Sequence, residues 1–240
     1  MEGSVLASVP GRRRSRELEP GRVVDAMLGL LRSHGPMLLA FSLATAGAVA
    51  FAPVLLERDA DIAVRLSLGF CAGVADLLLV SIAAAALYGG EVWRRLPQRL
   101  PWALAVGLTA GLGQAFGYLL LVVPGLILTT MWLAAVPAEI VERKGFSALN
   151  RSAELTRGHR WVIFGLLVAF GLASWLLSAI GGLAAIALAG ASTRALPFLA
   201  QAGVEVVTSL LGAVGTAALY RELKESADGP EVSAVADVFD

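Results

Sequence analysis

The stretch LSLGFCAGVADLLLVSIAAAALY, residues 66 to 88, carries one charged side chain, Asp76, and is otherwise apolar for long enough to cross a lipid bilayer. A helix needs about 20 such residues to span the hydrocarbon layer. Four further runs of this kind follow the same rule: Met37 to Leu56, Trp102 to Val123, Trp161 to Ile180 and Phe198 to Tyr220. A sixth, Leu126 to Val141, is shorter and comes directly after Pro124-Gly125 with no polar residue before it. That predicts a helical hairpin with a tight turn, a re-entrant segment being the alternative. The apolar stretch from Trp161 to Gly190 is too long for one upright crossing and is expected to break or tilt at Gly181-Gly182.

The whole chain agrees with this reading. Apolar residues make up 57% and charged residues 16%, against about 45–50% and about 25% in soluble domains. The expected fold class is an all-α polytopic membrane protein with six transmembrane helices, residues 22–220 forming the membrane domain. Formal charge is zero, 19 basic against 19 acidic residues, so no net field favours nucleic acid as a partner. Cys71 is the only cysteine, which excludes an internal disulfide and multi-cysteine metal sites. The sequon Asn150-Arg151-Ser152 falls in a segment assigned to the cytoplasm and is read as chance. The basic segment around Arg12, Arg13, Arg14 and Arg16 is followed by polar sequence, unlike a signal peptide; Ala48-Val49-Ala50 offers a cleavage-like alternative, but an uncleaved first helix fits better.

Orientation follows from the positions of Arg and Lys. With the N-terminus inside, sixteen of the nineteen fall in cytoplasmic segments and only Arg58, Arg65 and Arg194 lie outside. Tyr88, Trp93, Trp102, Trp161 and Tyr220 would then sit at the inner headgroups. Both termini are expected in the cytoplasm of a bacterial-type inner membrane. Two cytoplasmic stretches read as interfacial amphipathic helices. One carries Val24, Met27, Leu28 and Leu31 and is expected to stop at His34-Gly35-Pro36; the other carries Phe146, Leu149 and Ala153 and ends at Arg157-Gly158. Residues 1–21 and the acidic segment 221–240 show no apolar period and are expected to be disordered.

Both histidines lie in similar contexts, Arg32-Ser33-His34 and Arg157-Gly158-His159, and two helices later the tetrapeptide Ala-Ala-Leu-Tyr recurs at 85–88 and 217–220. These matches suggest a parallel internal repeat, residues 22–95 on 146–227, about a pseudo-two-fold axis along the membrane normal.

Val123-Pro124-Gly125, Pro137, Glu142, then Ala148-Leu149-x-Arg151-Ser152-x-Glu154-Leu155-Thr156-Arg157-Gly158 and Trp161 resemble a bacterial six-helix membrane family. It is typified by the membrane domain found beside glycerophosphoryl diester phosphodiesterases and by related domains of unknown function. The resemblance implies a six-helix module whose own activity is unassigned. In the named members hydrolysis resides in a separate soluble domain, which the residues after the last run here are expected to be too few to form.

No catalytic, cofactor-binding or metal-binding motif emerges: the histidines are far apart, the cysteine has no adjacent base, and no phosphate loop is present. Gly107, Gly111, Gly113 and Gly117 are explained by close helix packing. Arg143, Lys144, Arg151 and Arg157 are candidate contacts for anionic lipid headgroups or a cytoplasmic protein, or they serve topology alone; Glu139 and Glu142 are placed to pair with them. Asp76, Gln114 and Glu205 are the candidate intramembrane polar residues. An acid at mid-helix costs roughly 2.5–3.5 kcal/mol on insertion scales and should find protein or water. In the repeat alignment Asp76 falls opposite Ser209-Leu210, with Glu205 about one turn away.

Two functions fit. The first is a non-enzymatic membrane module acting through its basic cytoplasmic face on lipid or a protein partner. The second is a small transporter or channel with Asp76 and Glu205 in a polar path. The orientation predicts that single cysteines at 150 and 225, in a Cys71-free background, resist an impermeant thiol reagent on intact cells while those at 58 and 194 react. The opposite pattern reverses the topology.

Overall fold

The computed structural model describes Leu18 and residues 20–55, 62–188 and 195–228; the side chains at 46–55, 63, 65, 188 and 195–198 lie outside that description. The described residues form helices and no strand: α1 (Pro20–Leu55), α2 (Ile62–Tyr88), α3 (Gly90–Leu120), α4 (Val122–Trp132), α5 (Ala135–Glu142), α6 (Ser147–Leu155), α7 (Arg160–Leu188) and α8 (Ala195–Asp228). Among them, five stretches are long and apolar enough to cross a membrane: Leu66–Tyr88, Gly90–Leu120, Val122–Glu142 across α4 and α5, Arg160–Ala187 and Leu199–Asp228. The chain is an all-α polytopic membrane protein. The remaining expected run, Met37–Leu56, falls as far as Leu55 in the second half of α1, where the side chains beyond Thr45 are outside the described residues.

α8 lies at the centre and packs against α1, α2 and α7. Small residues let the backbones approach: Ala83 to Ala86 on α2 and Ala213, Ala217 and Ala218 on α8 are all buried. The hairpin of α3 and α4 uses the same device. A Cβ at Gly117 would come within 3.0 Å of the Gly125 backbone; where α3 meets α2, one at Gly107 would come within 2.6 Å of Leu77. Gly111, by contrast, faces open space.

Four local expectations are corrected. α1 runs unbroken through His34-Gly35-Pro36. One missing N–H does not end a helix held on both sides by Leu30 and Leu38, which are 2% and 0% exposed. α7 does not break at Gly181-Gly182, which leaves the tilt as the form of that expectation; Gly181 provides a close approach to Val204 of α8 rather than a hinge. The segment after Tyr220 is not a free tail as far as Asp228: α8 continues, with Glu222 and Leu223 buried. At the other end, Leu18 is buried and α1 begins at Pro20, inside the segment expected to be disordered. Residues 1–17 and 229–240, with Arg58 and Arg194, lie outside the described residues.

The repeat survives in one contact surface only. α2 and α8 run parallel, with Asp76 opposite Ser209 and Tyr88 opposite Tyr220. α1 packs extensively on α8, whereas α7 makes no comparable contact with α2. α5 and α3 occupy that side of α2 instead, so the neighbour pattern is not two-fold.

The fourth run spans α4 and α5, which part at Leu133-Ala134. Pro137 explains the break, because it has no N–H to offer Leu133 and its ring crowds that carbonyl. Ser152 of α6, fully buried, reaches into the gap: its Oγ donates to the Met131 carbonyl at 2.6 Å and accepts from the Ala134 N–H at 3.2 Å. Ser152→Ala leaves both groups buried and unpaired and should lower unfolding free energy in detergent by about 1–3 kcal/mol. Adding Pro137→Ala should recover part of that, since a continuous helix supplies its own donors. Wild-type stability in Ser152→Ala would remove this account of the break.

Candidate functional site at the basic end of the bundle

α5 ends on Arg143 in the left-handed region (φ 59°), and Gly145 (φ 56°) turns the chain into α6. Glu139, fully buried, holds the turn: its Oε2 accepts from the Gly145 N–H, and its Oε1 lies 3.6 Å from Arg99 Nη1. The turn sets Glu142 beside α6 and α8. Glu142 then accepts from Arg151 Nε at 3.0 Å, from Tyr220 Oη at 2.9 Å, and pairs with Lys144 Nζ at 3.0 Å. The other edge of the Arg151 guanidinium donates to both oxygens of Asp228 at 2.8 and 2.9 Å. Burial works against the charge on Arg151, but the hydrogen bond to Asp228 and the Glu142 carboxylate outweigh it and hold its pKa above the ordinary value. Arg143 lies 3.8 Å from Glu91, which also pairs with Arg95.

This network changes the candidate contacts. Arg143, Lys144 and Arg151 are turned inward or matched with acids, and only Arg157 of the four is exposed with no acidic partner among the described residues. Glu142 pairs with the basic residues as expected; Glu139 pairs with Arg99 instead. Tyr88 and Tyr220 do not lie in an aromatic belt. Tyr220 is fully buried, its ring 6.0 Å from that of Tyr88, over which Lys224 sits at 5.5 Å. Trp93, Trp102 and Trp161 are exposed.

Arg157 opens a second, unmatched basic group. Gly158 (φ 94°) turns the chain out of α6, and His159 and Arg160 lead into α7. His159 Nδ1 and Arg160 Nε are both shielded from solvent and have no hydrogen-bond partner. Arg160, Trp161 and Phe164 face Val123, Leu126, Ile127 and Thr130 of α4 across a cavity of about 420 Å3 in which Arg160 is the only charged lining residue. The corresponding place on α1 differs: His34 lines a cavity of about 380 Å3 together with Arg221 and an acid, Asp25. In the sequence His159 reads only as a mark of the suggested repeat and Arg160 only as a topology signal, since nothing in their spacing reports the lack of a partner.

Of the intramembrane candidates, Asp76 accepts from Ser209 Oγ at 2.7 Å, and Glu205 lies one turn away on the same helix. The two acids do come together, but on the outer surface of the α2–α8 pair, both exposed, rather than in an interior. Gln114, on α3, is half-buried and hydrogen-bonds to neither. Among the described residues no cluster of His, Cys, Asp or Glu is placed to hold a metal ion.

No family model, no curated protein and no solved structure matches the chain.

The network predicts an asymmetry between its members. Asp228→Ala loses one partly exposed ion pair and should cost about 1 kcal/mol or less. Arg151→Ala takes the charge-assisted hydrogen bond from the nearly buried Glu142, leaving Lys144 as its remaining counter-charge, and should cost about 2 kcal/mol. Equal losses in a reversible unfolding measurement would show that Glu142 does not depend on Arg151.

Proposed function

We propose that the protein is a multi-pass module of a bacterial-type inner membrane, with both termini in the cytoplasm and no catalytic activity of its own, that binds anionic phospholipid at its cytoplasmic face. The observation carrying this reading is the Arg160 guanidinium, whose Nε is shielded and unpaired at the head of α7, with Arg157 exposed beside it. Arg160 is only partly exposed and forms no ion pair among the described residues, so an anion can add charge-assisted hydrogen bonds there, and at the cytoplasmic leaflet the abundant anion is a lipid phosphate. The start of α7 adds unpaired backbone N–H groups and the positive end of its dipole. The uneven distribution of Arg and Lys supports the orientation, and the residues from Val123 to Trp161 support kinship with the six-helix membrane family.

Catalysis has little to build on. Ser33 Oγ and His34 Nδ1 are 2.9 Å apart, but the Ser33 hydroxyl donates to the Gly29 carbonyl at 3.0 Å, so its proton is already held by backbone. A transport path through Asp76 and Glu205 is not favoured either. Ser209 satisfies Asp76, and neither acid lines the cavities at Arg160 or His34.

The test is lipid retention by the full chain extracted from an equimolar mixture of phosphatidylglycerol and phosphatidylcholine. Wild type should retain phosphatidylglycerol preferentially. Arg157→Gln with Arg160→Gln should abolish that preference, each charge being worth about 1 kcal/mol. Arg143→Gln with Lys144→Gln should leave it nearly intact. Loss in the second pair and not in the first would overturn the assignment.

A further inference from the structure

The cavity beside Arg160 has a shape and lining that a headgroup alone does not use. Its α4 wall is Val123, Leu126 and Ile127, and Phe164 closes the α7 side. Thr130, its one hydroxyl, donates to the Ile127 carbonyl of its own helix at 2.8 Å and offers no proton to a ligand. The volume, about 420 Å3, falls within the roughly 300–1,000 Å3 of small-molecule sites. Polarity is confined to the Arg160 end, and Trp161, 84% exposed, stands there with its ring edge-on to Phe164. An indole in that position suits the boundary between headgroups and acyl chains. α4 and α7 touch only sparsely, so the groove opens sideways between them.

We propose that this groove holds one acyl chain of a single phospholipid whose phosphate is taken by Arg160. The proposal rests on the headgroup reading above and adds that recognition is of one inserted lipid rather than of a diffuse anionic surface. Charge complementarity selects the occupant: a purely apolar helix would leave the Arg160 guanidinium unpaired, and a soluble phosphate would leave the apolar wall empty. A lipid satisfies both ends at once. Positive charge at Arg160 orients the phosphate, and the α4 wall, already apolar, accepts the chain without burying any polar atom.

The experiment is native mass spectrometry of the full chain in mild detergent, titrated with dimyristoyl phosphatidylglycerol and, separately, with its deacylated glycerophosphodiester. Wild type should bind one molecule of the diacyl lipid and bind the deacylated compound far more weakly. Arg160→Gln should weaken lipid binding about tenfold, the loss of one charge-assisted hydrogen bond. Ile127→Trp fills the groove at a position already 48% exposed, and it should weaken binding of the diacyl lipid to a similar degree while keeping the preference for phosphatidylglycerol over phosphatidylcholine. Ile127→Phe serves as a second filling variant should the tryptophan impair folding, which the elution profile reports. If Arg160→Gln weakens binding and neither filling variant does, the groove is not the chain site and the headgroup reading stands alone. If Arg160→Gln and Arg157→Gln together change nothing, the headgroup reading itself falls. Equal binding of the deacylated compound, or no lipid retained at saturation, overturns the inserted-lipid inference.

Discussion

A backbone polar group inside a lipid-embedded protein has no water to fall back on, and Pro137 creates that difficulty within the apolar stretch Val122–Glu142. The helix parts at Leu133-Ala134, and the freed groups must be met from elsewhere in the chain. Ser152 meets two of them with one hydroxyl, which requires α6 to lie alongside the break. α6 can do so only because the chain reverses within Arg143 to Phe146, and that reversal is fastened by the Glu139 carboxylate on the Gly145 amide. Arg151 follows from the same placement: one residue before Ser152, on the adjoining face of α6, it is delivered to Glu142 and Asp228. The order from Pro137 to Arg151 is thus a chain of consequences from one missing N–H.

Much of the helical layout could be read from the amino acids because apolar run length in a membrane protein is imposed by the bilayer. The boundaries at Tyr88, Glu142 and Arg160 fall close to where the apolar runs end. What stayed illegible depends on partners distant in sequence. Glycine carries two meanings, hinge and close approach, and at Gly181 only the position of Val204 decides between them. Pro36 reads as a stop, yet the helix continues because residues on both sides of it are buried. Arg221 to Asp228 has no apolar period, so its order was invisible; Leu223 alone is buried among apolar neighbours, and Arg151 anchors the far end across 77 residues. Glu, Lys and Ala in that stretch are good helix formers, so the anchor has little to overcome.

The parallel pairing of α2 and α8 shows how a sequence repeat can be half realised. The two identical Ala-Ala-Leu-Tyr segments meet side by side, and Asp76 meets Ser209 at a spacing one residue longer than that between the tyrosines. A full two-fold would place α7 against α2 as α1 lies against α8. The α3–α4–α5 insertion takes that position, with α5 packed on α2. α7 is thereby displaced to the periphery, with α8 as its principal neighbour. In water so apolar a helix left so bare would be untenable; in lipid the apolar surface gains little by being covered.

Charge at the basic end has two separate roles, and they need not agree. Orientation is set during insertion by the positions of Arg and Lys near the helix ends, with Asp and Glu counting for little. In the folded protein the acids count fully. Glu91, Glu142 and Asp228 absorb Arg143, Lys144 and Arg151, so the most basic-looking segment presents little free charge. Arg157 and Arg160 form no ion pair among the described residues. The head of α7 is thus one of the places, with Arg32 and Arg94, where basic residues carry no ion partner among the described residues. The same place is where α6 ends and the peripheral α7 begins, and the sparse contact of α7 with α4 leaves the groove beside Arg160 open.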